Sequence, residues 1–252
     1  MNECKVKTIG INIIVITIMS LLCLLSCQKE YEKEESTVTD YDGNTYKTVK
    51  IGDQVWMAEN LRTTHYADGT SIALGISAST TTAYRYYPGN DQSNVSTYGY
   101  LYNWKAVMRN SSFSSANPSG VQGICPKGWH VPSIAEWTQL TNYVSSQSEY
   151  VCGSNNLYIA KALASTTGWN SSSTTCAVGN DPSLNNATGF SALPAGIYNV
   201  GYGSLGYSAF FWSATEDYDY NAYHRRLYYD NAYVDKSSHY KDYGLSVRCV
   251  RD

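Results

Sequence analysis

The sequence predicts an α+β fold in a single domain of roughly 215 residues, from 37 to 252. Strand-like runs rich in β-branched residues lie at both ends of this stretch, and the two best helical patterns lie between them. Long loops rich in Ser, Thr, Asn and Gly join the elements. A domain of this length can bury a sizeable hydrophobic core.

The first 26 residues form the pattern of a lipoprotein signal peptide. Lys5 and Lys7 precede an almost wholly apolar run from Ile9 to Leu25, and Ser26-Cys27 ends it. We expect Cys27 to be acylated, so that it becomes the first residue of a membrane-anchored mature protein. An uncleaved membrane-spanning helix is the alternative, but the run is shorter than the roughly 20 residues that a span needs.

Residues 27–36 are highly charged and poor in apolar side chains, which predicts a flexible tether. A Lys followed by acidic residues close to the acylated Cys resembles the tag that sends some Gram-negative lipoproteins to the outer face of the outer membrane. A plain solvated spacer is the alternative. The expected location is therefore the outer membrane, with the domain exposed at the cell surface.

The cysteines indicate two disulfides. Of the seven, Cys4 and Cys23 leave with the signal peptide and Cys27 is acylated, so four remain in an oxidising compartment. Cys152 and Cys176 bracket one polar stretch and are the favoured local pair, which leaves Cys125 to bond to Cys249. The spacing of these residues does not fit a zinc site, and we expect neither a metal nor a cofactor.

The helices and strands can be placed approximately along the domain. Ser133 as N-cap and Glu136 three residues later form a capping box that begins the best helix. Its expected inward stripe is Ile134, Trp137, Leu140, Thr141 and Val144. Two further helices are expected over residues 100–108 and 157–164. Strands are expected over residues 45–51, 54–58, 190–198, 210–215, 222–229 and 245–250.

Six sequence blocks resemble the Fibrobacter succinogenes major paralogous domain family. They are DGNTYKTVKIGDQVWMAENL, YGYLYNWKAVM, GICPKGWHVPSIAEW, TGFSALPAGIY, FWSATE and GLSVRCVRD, in the family's order from about Val38 to Asp252. This family is considered related to the C-type lectin-like fold and to formylglycine-generating enzymes. The resemblance implies a C-type lectin-like fold, with paired terminal strands, short antiparallel strands, two or three helices and long irregular loops.

Fold alone does not decide function, and the residues that catalysis would need are missing from the sequence. Formylglycine-generating enzymes use a late reactive Cys pair, whereas the only late Cys here is Cys249, in a pattern that points inward. The sugar-binding calcium motifs of lectins do not occur. We expect His130 to have a structural hydrogen-bonding role, and Glu216 to pair with an Arg such as Arg248. A net charge of −3 without a basic stripe argues against nucleic acid as a partner.

The segment from Asp217 to Tyr243 has an unusual composition. It contains eight of the 24 tyrosines, and most of its other residues are Asp, Asn, Ser or His. A single base change in an Asn codon gives Tyr, Asp, His or Ser, so adenine-directed mutagenesis would leave this composition. The segment resembles the variable region of proteins that retroelements diversify on a C-type lectin-like scaffold.

The same composition is typical of a binding surface, because Tyr provides contact area with few rotatable bonds and Ser, Asn and Asp provide adaptable hydrogen bonds. We therefore predict a solvent-exposed face over this segment, although polar turns that only cap a hairpin are the alternative. Tyr223 is the weakest candidate, since it shares a strand face with Leu227. The candidate contact residues are Tyr218, Tyr220, Asn221, Tyr223, His224, Tyr228, Asp230, Asn231, Tyr233, Asp235, His239, Tyr240 and Asp242.

These observations favour a surface-anchored, non-catalytic domain that binds a protein or a glycan. A structural or adhesive component of the cell surface is the alternative, and self-association would distinguish it. An enzyme of the formylglycine-generating type is a distant third, which free reactive thiols at Cys125 or Cys249 would revive.

Overall fold

A computed structural model describes residues 36–199 and 201–252. The predicted signal peptide, Cys27 and all of the tether except Ser36 lie outside the described residues. Within them the predicted α+β class is confirmed, with mostly antiparallel strands and four short α-helices. No helix in these ranges has both the length and the apolar character that a membrane span needs.

The strands and helices of the described ranges alternate with long loops. The strands are β1 (Thr37–Thr39), β2 (Thr45–Ile51), β3 (Gln54–Met57), β4 (Ala73–Leu74), β5 (Tyr84–Tyr86), β6 (Leu101–Tyr102), β7 (Trp129–His130), β8 (Ile197–Tyr198), β9 (Tyr202–Gly203), β10 (Ser208–Tyr218), β11 (Asn221–Tyr228), β12 (Asp235–Tyr240) and β13 (Val250–Arg251). The helices are α1 (Val95–Tyr98), α2 (Trp104–Met108), α3 (Ile134–Ser146) and α4 (Ala160–Leu163).

The two ends of the domain meet in one sheet with the order β1-β2-β3-β13-β7. Val250 of the last strand lies opposite Trp56 on one side and His130 on the other. The last strand thus pairs with β3 of the N-terminal hairpin, and the first strand, β1, lies at the edge of the same sheet. The β2–β3 hairpin also agrees closely with the runs predicted over residues 45–51 and 54–58.

Helix α3 begins as the sequence predicts. The Ser133 hydroxyl accepts from the Glu136 backbone N–H, and the Glu136 carboxylate accepts from that of Ser133, which completes the capping box. Trp137, Leu140 and Val144 are buried, whereas the other two members of the predicted stripe are half-buried. The Trp137 ring lies 4.5 Å from that of Trp56, so the helix packs directly on the terminal sheet.

Arg248 is fully buried and holds three segments of the chain together. Its guanidinium donates to Asn60 Oδ1 at 2.7 Å, and to the carbonyl oxygens of Met57, Phe190 and Ser191 at 2.9, 2.6 and 2.8 Å. The expected pairing of Arg248 with Glu216 is wrong, because Glu216 pairs with Lys241. Sequence alone could not show that backbone carbonyls would take the place of a carboxylate.

Other predicted elements are shorter in the structure. The helix expected from residue 100 begins at Trp104, because Leu101 and Tyr102 form β6 and Asn103 caps the helix. The helix expected over residues 157–164 spans only Ala160–Leu163. Of the strands expected over residues 190–198 and 245–250, only β8 and the first residue of β13 form. The rest of these apolar runs is buried in irregular backbone, which hydrophobicity alone does not distinguish from a strand.

Both predicted disulfides are confirmed. Cys125 bonds to Cys249, 124 residues later, and Cys152 bonds to Cys176, 24 residues later. The first joins the loop before β7 to the residue that precedes β13, and the second closes a local polar loop.

Candidate functional site

The Tyr-rich segment folds mainly into a three-stranded antiparallel ribbon with the order β10-β11-β12. The β10–β11 turn lies at one end of this ribbon. We call this end the tip and define it as residues 218–221 together with Tyr240. Asn221 lies opposite Tyr218 on one side and Tyr240 on the other, so these three side chains leave the sheet on the same face.

Three tyrosines of the tip are strongly exposed. The exposed fractions are 72% for Tyr218, 73% for Tyr220 and 56% for Tyr240. Within the described residues, the hydroxyls of Tyr218 and Tyr220 donate no hydrogen bond to the rest of the protein. Their rings and hydroxyls are therefore available to a partner.

Lys241 holds the backbone of the tip in place. Its ammonium group pairs with the Glu216 carboxylate and donates to the Asp219 carbonyl oxygen at 2.7 Å. Its backbone N–H donates to the Tyr220 carbonyl oxygen at 2.9 Å, and its ammonium group lies 4.7 Å from the centre of the Trp104 ring. The tip is thus ordered before any ligand arrives, which reduces the entropy lost on binding.

A cavity of about 420 Å³ opens beside the tip. Trp104, Asp219, Tyr220 and Lys241 line it together with Thr80, Lys105 and residues 108–111. This volume falls in the range of small-ligand sites. Aromatic rings from two separate segments, next to charged groups, offer both stacking and hydrogen bonding.

The opposite end of the ribbon, residues 229–235, is attached to the rest of the domain. We call it the loop end. The Tyr229 carbonyl oxygen accepts from the Gly179 backbone N–H at 2.6 Å, and the Asn231 carbonyl oxygen accepts from that of Val178 at 3.2 Å. A Cβ on Gly179 would lie 2.2 Å from the Asn170 carbonyl oxygen, so only glycine allows this approach. Tyr233, 37% exposed, packs edge-on against Tyr158 at 5.1 Å.

The middle of the ribbon is largely covered, so the prediction of one continuous exposed face is wrong. His224 is fully buried and stacks on His239 with 4.6 Å between ring centroids. Phe210 lies 5.6 Å from each of these rings. Burial and then the neighbouring His239 lower the pKa of His224 to about 2, so its imidazole is neutral. His224 therefore cannot be a contact residue in this structure.

The other predicted contact residues divide between these regions. Tyr218, Tyr220, Asn221 and Tyr240 lie at the tip, and Asp230, Asn231, Tyr233 and Asp235 lie at the loop end. Tyr223, Tyr228 and His239 are half-buried in the middle, and Asp242 is half-buried beyond the tip. Of the tip and loop-end residues, Asn221, Asn231 and Asp235 are half-buried and the other five are exposed. The length of β12 separates the two groups.

Several residues that shape these surfaces were not among the predicted ones. Trp104 and Lys241 define the cavity at the tip, and Tyr158 supports the loop end. Lys241 lies inside the segment from Asp217 to Tyr243, but the composition of that segment points to Tyr, Asp and Asn and not to Lys. Trp104 and Tyr158 are distant in sequence, and only the tertiary fold brings them to the ribbon.

Histidine and acidic side chains also meet away from the ribbon. His130 is buried, with Nε2 at 2.6 Å from Glu136 Oε1 and Nδ1 at 2.7 Å from Asp252 Oδ1. Burial opposes protonation, but the two carboxylates raise the pKa of His130 overall. The same Glu136 completes the helix cap, so this cluster joins α3 to the C-terminus. Across residues 36–199 and 201–252, no group of three His, Cys, Asp or Glu side chains is placed to hold a metal ion.

Comparison with known proteins gives one family match. The model of the Fibrobacter succinogenes major domain matches residues 49–251. No curated protein and no solved structure matches the chain. The matched range covers both disulfides, α3 and the whole ribbon. The chain therefore belongs to the Fibrobacter succinogenes major domain family.

Proposed function

We propose that this protein is a surface-anchored lipoprotein whose domain binds a protein or glycan ligand through the tip of its Tyr-rich ribbon, without catalysis. The observation that carries the proposal is the tip itself. Three strongly exposed tyrosines lie at the tip, beside a cavity. Lys241 fixes the backbone there through its contacts with Glu216, Asp219 and Tyr220. Exposed tyrosines on an ordered backbone are typical of binding surfaces.

The energetics favour contact at this surface. A Tyr ring buries a large area on binding and loses little conformational entropy, since it has only two side-chain torsions. Aromatic hot spots typically cost about 2 kcal/mol or more when truncated. Tyr218, Tyr220 and Tyr240 lie within one cross-strand row and its adjoining turn, close enough for one ligand to contact all three.

The proposed scaffold is a C-type lectin-like fold. Support comes from the terminal strands, which lie in one sheet, and from the long loops that precede the ribbon. A superposition on a C-type lectin-like domain after experimental structure determination tests this. A different strand order in the terminal sheet would contradict it.

A non-catalytic role is proposed because the residues of an oxidative thiol site are not free to react. Cys125 and Cys249 are bonded to each other, so neither provides the thiolate that such chemistry needs. Thiol labelling of the native protein should modify neither residue. Labelling of both under non-reducing conditions would revive the formylglycine-generating alternative.

The anchor is proposed from the lipoprotein signal. In a Gram-negative host, Cys27→Ala should abolish acylation and move the protein from the membrane to the soluble fraction. Mass spectrometry of the mature wild-type protein should show a lipid on Cys27 and no residues 1–26. Intact, unmodified Cys27 would contradict the anchor, and protease resistance of the domain in whole cells would contradict surface exposure.

Binding can be tested with cells that display the full chain. We would screen them on arrays of oligosaccharides and of secreted proteins, beside cells that display the Tyr218→Ala, Tyr220→Ala, Tyr240→Ala triple variant. Tyr41→Ala is the matched control, because Tyr41 is 59% exposed but lies outside the ribbon. Ligands retained by the wild type and the control but lost by the triple variant support the proposal. Equal binding by all three would contradict it, and binding only to purified copies of the same chain would indicate a structural component.

We also propose that the segment from Asp217 to Tyr243 is diversified between cells. Its support is the composition that single changes in Asn codons produce. Sequencing the gene across many isolates should show substitutions concentrated at the exposed positions of the ribbon and at adenines of one strand. Changes spread evenly along the domain would contradict diversification without affecting the binding proposal.

A further inference from the structure

A second cavity lies on the far side of the ribbon from the tip turn, between α3 and β12. It has a volume of about 500 Å³ and is lined by side chains of α3, of the central strand β11, of residues 233–236 and by the apolar side chains of Leu157 and Ile159. The lining residues that matter for recognition are Thr138, Thr141, Asn142, Arg225, Tyr233 and Lys236. Most of these side chains carry hydroxyl or amide groups, with one aromatic ring and two cations.

Arg225 is a buried cation in the lining of this cavity. The residue is only 7% exposed, and within the described chain its guanidinium makes one hydrogen bond, from Nη2 to Thr138 Oγ1 at 2.8 Å. Its Nε is buried and has no hydrogen-bond partner. Arg225 also has no carboxylate within ion-pairing distance in the described ranges, although an isolated buried cation is costly.

The acidic side chain in the lining of the cavity is already paired. Asp235 also lines the cavity, but its Oδ2 accepts from Nε of Arg226, the next residue of β11, at 3.3 Å. Burial lowers the pKa of Arg225 to about 10 despite the opposing effect of Asp235, so the guanidinium is still charged near neutral pH. Arg225 and Lys236 together leave the cavity with a net positive charge that Asp235 alone does not balance.

We propose that this cavity binds the carboxylate of an acidic sugar, with the Arg225 guanidinium as its anchor. A guanidinium presents donors in a fixed fork that matches a carboxylate. The Thr138 and Thr141 hydroxyls donate to carbonyl oxygens of α3, so their oxygens serve as acceptors for sugar hydroxyls. The exposed Asn142 adds an amide, and Tyr233 offers a ring for stacking at the mouth. An acidic peptide would also bind Arg225 through its carboxylate, but it would gain little from the small polar side chains that line the cavity.

The inference deepens the proposed binding role, on which it rests, by naming a ligand class for the loop end. It depends on different residues from those of the tip. The acid-site proposal and the tip proposal can therefore be contradicted independently of each other.

The test is calorimetric titration of the full-length protein in detergent micelles with glucuronic, galacturonic and N-acetylneuraminic acids. At least one acid should bind at least tenfold more tightly than glucose. Arg225→Gln should weaken this binding at least tenfold, and Arg225→Lys should weaken it less, because it keeps the charge but loses the fork. Arg251→Gln removes one positive charge from an exposed site on β13 and should change nothing.

A second variant covers the case in which Arg225→Gln does not fold. Thr141→Phe adds a ring to a half-buried position on the wall of the cavity, makes no change to Arg225, and should abolish binding of the acid. The triple Tyr variant of the tip should bind the acid like the wild type. If that variant loses its array ligand and Arg225→Gln leaves acid binding unchanged, the tip proposal stands and the acid site does not.

Three results would overturn the acid site. They are no binding of any of the three acids, equal affinity for glucose, and unchanged affinity in a folded Arg225→Gln variant or, where that variant does not fold, in Thr141→Phe. Tighter binding of an acidic dipeptide than of every sugar acid would also overturn it, and would identify a peptide site instead.

Discussion

Polar side chains are buried in one region of this domain and exposed in another. In the frame, which we define as the terminal sheet, α3, Arg248 and the Cys125–Cys249 disulfide, polar groups are buried and bonded to other parts of the chain. At the tip, tyrosines are exposed and their backbone alone is fixed. The difference indicates that the frame provides the stability of the fold, while side chains at the tip can change at little cost. We expect stability to depend on the frame and binding to depend on the tip.

The largest expected effect is at Arg248. Arg248→Met should lower the free energy of unfolding by about 4 kcal/mol, because three buried carbonyl oxygens and Asn60 Oδ1 lose their donor. Urea unfolding followed by far-UV circular dichroism measures this. The exposed Arg251→Gln is the control and should stay within about 0.5 kcal/mol of the wild type. A loss below about 1 kcal/mol at Arg248 would mean that the frame does not depend on this hub.

The Cys125–Cys249 disulfide should come next. Replacing both residues by Ala should cost about 3 kcal/mol, since the bond constrains a long loop in the unfolded chain. The same change at Cys152 and Cys176 should cost less, because that loop is far shorter. Thermal unfolding of both double variants compares them directly. A larger loss at the short loop would show that the loop closed by Cys152 and Cys176, not the frame, limits stability.

A smaller effect concerns pH and the covered middle of the ribbon. The pKa of His224 is lowered on folding to about 2 and that of His239 is also lowered, so the unfolded chain binds more protons below its His pKa of about 6.5. Their contribution is fully present above this pH and is lost as the pH falls. The raised pKa of His130 acts in the other direction, and its contribution is lost only as the pH rises through that pKa.

Unfolding measured between pH 7 and pH 5 should therefore show a loss of about 1.4 kcal/mol per pH unit below pH 6.5 for His224. His224→Phe should reduce this slope, and the wild-type slope should remain in Tyr240→Phe. The same slope in His224→Phe and the wild type would mean that the buried imidazole does not control acid sensitivity.

The frame was more predictable from sequence than the site. The capping box at Ser133 and Glu136, the β2–β3 hairpin and both disulfides depend on local signals or on a small number of combinations. The exposure of Tyr218 and Tyr220 also follows from a local signal, because Tyr218 ends β10 and Tyr220 lies in the turn after it. Burial of His224 does not, since it depends on Phe210 and His239 from the neighbouring strands.

The same limit explains why the tertiary partners of the ribbon could not be foreseen. Alternation on β11 places Arg225 on the same face as Leu227, but nothing local shows that α3 covers this face. Trp104 reaches the tip from α2, over a hundred residues earlier in the chain, through a hydrogen bond from its Nε1 to the Ser213 carbonyl oxygen. Contacts of this range need the folded chain.

The most direct test measures stability and affinity on the same variants. The triple variant with Tyr218, Tyr220 and Tyr240 replaced by Ala should unfold within about 1.5 kcal/mol of the wild type, since each exposed change costs about 0.5 kcal/mol or less. Its affinity for the ligand found on the arrays should fall at least a hundredfold, as expected from the loss of roughly 2 kcal/mol or more per hot-spot residue. Tyr41→Ala should change neither quantity. A triple variant that unfolds several kcal/mol more easily, yet binds the ligand as tightly as the wild type, would contradict the division of roles between frame and tip.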